Sequence, residues 1–310
     1  MAEIDIRRLN EIAKEPLEVI SRADAEYKAF VASLADRVVS SDEIRIVLLS
    51  GPSGSGKTTT ANMLSDAIKS RGFECLVVSL DDYYRNKTDP VYPRLPNGER
   101  DFERPEALDI PCLLETLSDR AEGREFSVPR YDFLISARET VIKYPKIQHG
   151  CVVIEGLHAL NPMISSSLPK ERLLKVFISV STNVLDGGER ILSGRKLRFV
   201  RRMVRDNIYR GASAEETLRF WANVLDGEDK YLYPFRDLAD VTYNTFHEYE
   251  VGVMKSFALP LLAEALAKSS PYIKTVREAM LRADSIDERL VPDHSLIREF
   301  IPGGMYDHLY

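Results

Sequence analysis

Residues 51 to 58 read Gly-Pro-Ser-Gly-Ser-Gly-Lys-Thr, the spacing GxxxxGK[ST]. Its glycines let the chain curl until successive backbone N–H groups face an anion, and its lysine can reach across two linked phosphates. Gly51, Ser53, Gly54, Ser55, Gly56, Lys57, Thr58 and Thr59 are therefore the expected phosphate-binding residues, with the Thr58 hydroxyl placed to ligate Mg²⁺. Such a loop needs a strand before it and a helix after it. Ile44 to Leu49 is a short apolar run rich in Ile and Leu, and Thr58 to Ser70 reads as a helix stopped by Gly72.

Phosphoryl transfer to an alcohol also needs a carboxylate beside the acceptor hydroxyl. Cys75 to Leu80 reads as a buried strand running into Asp81-Asp82-Tyr83-Tyr84, which puts Asp81 at the carboxyl edge of a sheet, where ligands of open α/β folds bind. Asp81 is the candidate general base; an ordinary turn or helix cap is the competing reading of the acidic pair. Glu155 closes the run Val152-Val153-Ile154 and is the candidate to hold Mg²⁺ directly or through water, against a solvated strand-end carboxylate.

Residues 195 to 210 carry seven basic side chains and one acid. Arg198, Arg201, Arg202 and Arg205 recur at i, i+3, i+4 and i+7 and share a helical face, while Leu197, Val200, Val204 and Ile208 line another. Such a helix could close over a triphosphate as a lid, neutralising the transferring group and excluding water. A solvated basic face and a nucleic-acid surface are the alternatives.

Around these residues short apolar runs alternate with helical patterns. Residues 1 to about 40 carry Leu9, Ile12, Leu17, Ile20, Phe30 and Leu34 at helical spacing, a helical N-terminal extension. Cys151 to Ile154 and Lys175 to Val180 read as further strands, with Val241 to Tyr243 as an edge. Pro105 is placed to open a helix ending near Asp119, Ser213 to Glu216 spells a capping box for the helix carrying Trp221, and the chain from Glu250 reads as mostly helical until Pro292. Tyr84 to Arg104, polar and rich in Pro, Asn and Gly, reads as a functional loop or flap. The expected class is α/β, a P-loop-type doubly wound parallel sheet with flanking helices. Its organisation is an extension over 1–40, a P-loop domain over 41–268 with a lid at about 195–211, and a helical tail over 269–310 packed on the core.

Composition narrows the partners. Apolar residues make up 44% and charged ones 29% of 310 residues, as in globular chains. The 42 basic and 48 acidic side chains leave a net charge of −6, which argues against nucleic acid or an anionic membrane as a partner. Cys75, Cys112 and Cys151 lack metal-ligand spacing and read as small buried hydrophobes. The start MAEIDIRRLNEI is not a secretory signal and no apolar run reaches the length of a membrane span, so a cytoplasmic location is expected.

From about residue 44 to 250 the chain resembles the phosphoribulokinase/uridine kinase superfamily, and within it the uridine/cytidine kinase branch. The matching spellings are GPSGSGKTT (51–59), SLDDYY (79–84), DFERPEALD (101–109), VPRYDF (128–133) followed by Arg138, VVIEGLHAL (152–160), RFVRRMVRDNIYRG (198–211) and GEDKYLYPFRDLAD (227–240). The resemblance implies a kinase using ATP or GTP with Mg²⁺ to phosphorylate the 5′-hydroxyl of a uridine- or cytidine-like nucleoside, with a homo-oligomer as the expected assembly. It implies Asp81 as base, Glu155 as the magnesium-linked acid, the four arginines as lid, and Tyr84, Phe102, Glu103, Tyr131, Phe133, Ser136 and Arg138 around the nucleoside. Glu103 stands where uridine kinases usually have Asp, Ser136 where they have a base-reading His, and His158 is nearer the phosphoribulokinase spelling. A sugar phosphate or pantothenate-like alcohol thus stays open as acceptor, as does a nucleotide-gated regulator. The segment VPDHSLIREFIPGG (291–304) resembles the carboxyl end of a bacterial nucleoside-kinase branch, where a surface strap is the simplest reading.

Overall fold

The computed structural model describes residues 2–133, 135–266 and 270–309; the expected boundary at 268/269 lies outside them. Strand β1 (Ala2–Asp5) leads into α1 (Ile6–Lys14) and α2 (Pro16–Val39). The phosphate-loop unit follows as β2 (Ile46–Ser50), α3 (Lys57–Lys69) and β3 (Glu74–Ser79). After α4 (Ile110–Ala121) come β4 (Phe126–Asp132), β5 (Ala137–Tyr144), β6 (Gly150–Glu155), the short α5 (Pro162–Ser165) and β7 (Leu173–Ser179). Strands β8 (Thr182–Asp186) and β9 (Glu189–Leu192) precede α6 (Gly194–Arg210) and α7 (Ala214–Tyr231), and β10 (Val241–Asn244), α8 (Glu250–Leu266) and α9 (Pro271–Arg282) complete the regular elements.

Five parallel strands form the central sheet in the order β10-β7-β2-β6-β3. Successive side chains of a strand point to opposite faces, and β2 divides accordingly. Val47 and Leu49 join a core with α2, α3, α6, α8 and the C-terminal segment, whereas Ile46 and Leu48 join one with α4, α5 and β4. Helices thus cover both faces, and the apolar runs that announced the strands are buried on both sides. Because all five strands run the same way, the ends of β2, β3 and β6 deliver the phosphate loop, Asp81 and Glu155 to one edge.

Several elements differ from the sequence reading, among them the antiparallel pair β8–β9, which it did not contain. The first residues form β1, paired in parallel with β8, because a neighbouring edge supplies hydrogen bonds that the local pattern does not reveal. Pro105 opens only a short 3₁₀ turn; α4 starts at Ile110, with Asp109 capping the amide of Cys112 and Pro111 in its first turn. The antiparallel hairpin β4–β5 went unread, since β5 is mostly polar and half-exposed. Among the described residues no helix is long and apolar enough to cross a membrane.

Candidate active site

Loop 51–56 joins β2 to α3, so its amides and those of the first turn of α3 converge at the sheet's carboxyl edge. Gly54 (φ +73°) and Gly56 (φ +93°) adopt left-handed backbone, and a Cβ on Gly56 would lie 2.6 Å from Leu296 Cδ1. Two arginines of α6 grip this loop from outside. Arg198 donates to the carbonyl of Ser53 at 2.9 Å, and Arg201 to that of Gly54 at 3.2 Å. In a planar peptide the carbonyl and the following N–H point opposite ways, so holding the Ser53 carbonyl outward turns the Gly54 amide into the cradle, while the Ser55 amide closes the loop on the Pro52 carbonyl at 3.2 Å.

Both guanidinium-bearing residues are 0% exposed, and each is locked to a carboxylate. Arg198 makes two 2.7 Å bonds to Glu228, and Arg201 Nε reaches Glu250 at 3.1 Å. This corrects the reading of four arginines on one anion-seeking face. Helical spacing sets direction but not partner, and acids from α7 and α8 neutralise Arg198 and Arg201. Helix α6 is correspondingly a packed element, with Leu197, Phe199, Val200, Met203 and Val204 buried.

Arg202 and Arg205 turn toward the cleft. Arg202 donates to Ser53 Oγ at 3.0 Å, and both are gathered by Asp206 at 3.2 and 3.0 Å, with Arg210 at 3.4 Å from the same acid. Opposite them, Asp81 opens onto the cleft from the turn after β3. Surrounding protein desolvates its carboxyl and raises it above the ordinary carboxylate value, while Lys57, Arg210, Arg205 and Arg202 pull the other way. Glu155 is buried, and burial pushes it up to about 7 against the attraction of Lys57. Ser79 and Glu155 are partners in register, and the Ser79 hydroxyl links the Glu155 carboxylate to the Asp81 backbone: its Oγ donates to Glu155 Oε1 at 2.7 Å and accepts from the Asp81 amide at 3.3 Å.

The second acid of the pair has a different task. Asp82 accepts from Arg130 at 3.1 Å and from the Tyr131 amide at 3.3 Å, fastening β4 beside the cleft. There Tyr84, Phe102, Tyr131 and Phe133 form an aromatic group, with Tyr84 5.9 to 6.4 Å from each of the other three rings. Phe133 is 61% exposed. Burial raises the Tyr84 hydroxyl well above its usual value, with Asp81 and Glu103 adding to the effect; the Tyr84 amide, 3.4 Å from the Asp81 carbonyl, joins the aromatic group to the turn that carries Asp81. Burial likewise pushes Glu103 up to about 7, with Arg202 opposing. Ser136 takes a left-handed φ of 54° after the exposed Phe133, whose carbonyl its Oγ meets at 3.3 Å. Arg138 is not brought into the aromatic group: it pairs with Asp109 at 2.9 Å and lines a cavity of about 320 Å³ with Arg85, Asn86 and Asp89. His158 is buried and held neutral, pushed down to about 4.

The model of the Phosphoribulokinase / Uridine kinase family matches residues 46–251. The chain belongs to that family. It is 28% identical over 199 residues to the uridine kinase of Staphylococcus haemolyticus, an alignment spanning 63% of this chain and 85% of that one. The uridine kinase of Borrelia duttonii is 28% identical over 227 residues, spanning 72% and 98% of the two chains. The family is one of ATP-dependent small-molecule kinases, and this chain is a P-loop kinase.

The kinase contains site-shaping residues that the sequence reading passed over. Glu228 receives Arg198 and the Ser53 amide, Glu250 receives Arg201, Thr245 donates to the Ser55 carbonyl at 2.8 Å, and Glu299 accepts the Thr59 amide at 3.1 Å. Glu228 lies within a quoted motif, GEDKYLYPFRDLAD, so a signal existed. Glu299 also lies within a quoted segment, VPDHSLIREFIPGG, but with 240 residues between it and its partner nothing in that spelling pointed to the phosphate loop.

Proposed function

We propose that the kinase transfers the γ-phosphoryl group of ATP or GTP to the 5′-hydroxyl of a uridine- or cytidine-like nucleoside. The observation that carries this reading is the aromatic group of Tyr84, Phe102, Tyr131 and Phe133 beside Asp81. Rings so placed suit a flat base, and a carboxylate next to them suits the sugar hydroxyl.

In this reading the loop amides and Lys57 hold the β- and γ-phosphates. Among the described residues no cluster of three or more His, Cys, Asp or Glu side chains gathers to hold a metal. The hard oxygens of Thr58 and Glu155 nevertheless fit Mg²⁺, which takes few protein ligands when phosphates supply the rest. Bound there, Mg²⁺ would neutralise charge on the phosphate oxygens. Asp81 accepts the proton of the acceptor hydroxyl as that oxygen bonds to the γ-phosphorus, and the bond to the β–γ bridging oxygen breaks, releasing the nucleoside diphosphate. Arg202, Arg205 and Arg210 offset the charge spreading over the transferring group.

The test is diphosphate release with ATP across a panel of nucleosides and sugars. Stimulation by pyrimidine nucleosides is the expected result. Stimulation by sugars or sugar phosphates alone would replace the nucleoside as acceptor, and release independent of any acceptor would point to a nucleotide-gated regulator.

A further inference from the structure

The C-terminal segment reaches the phosphate loop itself. Leu296, Ile297, Phe300 and Ile301 are all 0% exposed, and Leu296 fills the space that Gly56 leaves open. Ser295 and Tyr249 both donate to Asp24 at 2.9 Å, tying this segment to α2 and to the start of α8. So anchored, Glu299 is 3% exposed and places Oε2 3.1 Å from the Thr59 amide, with Oε1 3.7 Å from Arg205. That amide belongs to the first turn of α3, where N–H groups lack carbonyl partners within the helix. In a phosphate loop such groups receive the donor's phosphates. A buried carboxylate at the positive end of the helix therefore takes the place of a phosphate oxygen.

We propose that Glu299 is a built-in competitor of the donor's phosphate chain. At rest it holds the Thr59 amide; donor binding draws it away and loosens segment 291–307, so the tail sets donor affinity. The inference rests on the kinase reading. Pyrophosphate can fill the Lys57 end of the cradle without extending to the Thr59 amide, so it serves as the control ligand.

The experiment is calorimetric titration of the full chain and of Glu299→Gln with MgATP and with magnesium pyrophosphate. The expected result is a MgATP Kd about 10-fold lower in the variant, the difference between a charge-assisted hydrogen bond and the neutral one that Gln can still accept, with pyrophosphate affinity changed by less than about twofold. Equal or weaker MgATP binding by the variant overturns the proposal, as does equal tightening for both ligands, which marks a diffuse charge effect. Failure of both proteins to bind MgATP overturns the kinase reading with it. If Glu299→Gln does not fold, hydrogen exchange of the unaltered chain decides: faster exchange over 291–307 with MgATP supports the proposal, and unchanged or slower exchange contradicts it.

Discussion

At the carboxyl edge of the sheet, Glu155 carries a charge that its surroundings resist. Its folded value of about 7 lies above the ordinary 4.5, so between those values the folded chain binds more protons than the unfolded one, and stability falls as pH rises. By pH 8 the penalty approaches about 3 kcal/mol. Glu155→Gln should therefore stabilise the protein toward urea by up to that amount at pH 8, with the gain vanishing near pH 4.5; an equal gain at both pH values would contradict the assigned protonation. In the proposed function that variant would also weaken Mg²⁺ binding, so the sheet edge keeps an unfavourable charge where a metal could use it. The two acids after β3 show how finely such tasks divide: Asp81 stays open to the cleft, and Asp82 is consumed in fastening Arg130 and Tyr131.

Helix α6 joins loop, core and cleft, and its grip depends on acids from other helices. Replacing Glu228 by Gln leaves the buried Arg198 without its counter-charge and should cost about 3 kcal/mol in urea unfolding. Nucleotide binding should weaken as well, because the Ser53 carbonyl and amide lose their shared anchor. A stability change below about 0.5 kcal/mol would show that the pair is dispensable. By contrast, Ser213→Ala at the capping box of α7, where Ser213 and Glu216 satisfy each other's backbone amides, should cost about 1 kcal/mol by thermal or urea unfolding and leave nucleotide affinity unchanged. The capping box was legible because its partners are three residues apart, as were the central strands from their apolar runs. The arginine partners were not, because Glu228 and Glu250 lie 30 and 49 residues from the side chains they neutralise. The hairpin β4–β5 escaped for another reason: its alternation is blurred by exposed Val141 and by the polar run of β5.

Across the whole molecule, the N-terminal helices, one face of the sheet and the C-terminal segment share a single apolar core. Phe300 is central to that joint: it is fully buried, and Arg201 lies 4.9 Å from its ring centroid. Phe300→Ala should cost about 3–5 kcal/mol in urea unfolding; a loss under about 1 kcal/mol would mean that the tail is a surface strap, the role its sequence suggests. The P-loop, Asp81 and Glu155 are legible as one site from their positions in the chain, because parallel strands send their carboxyl ends to one edge. The tail's approach to that edge is not legible in the same way, since nothing local in residues 291–304 marks the loop they meet. In the proposed function the chemistry turns on Asp81 as the base for the acceptor hydroxyl. The direct measurement is the rate of acceptor phosphorylation by Asp81→Asn, alongside its MgATP affinity. A fall of about 10³-fold in transfer with MgATP Kd within about twofold is the predicted result; transfer at the unaltered rate would contradict it.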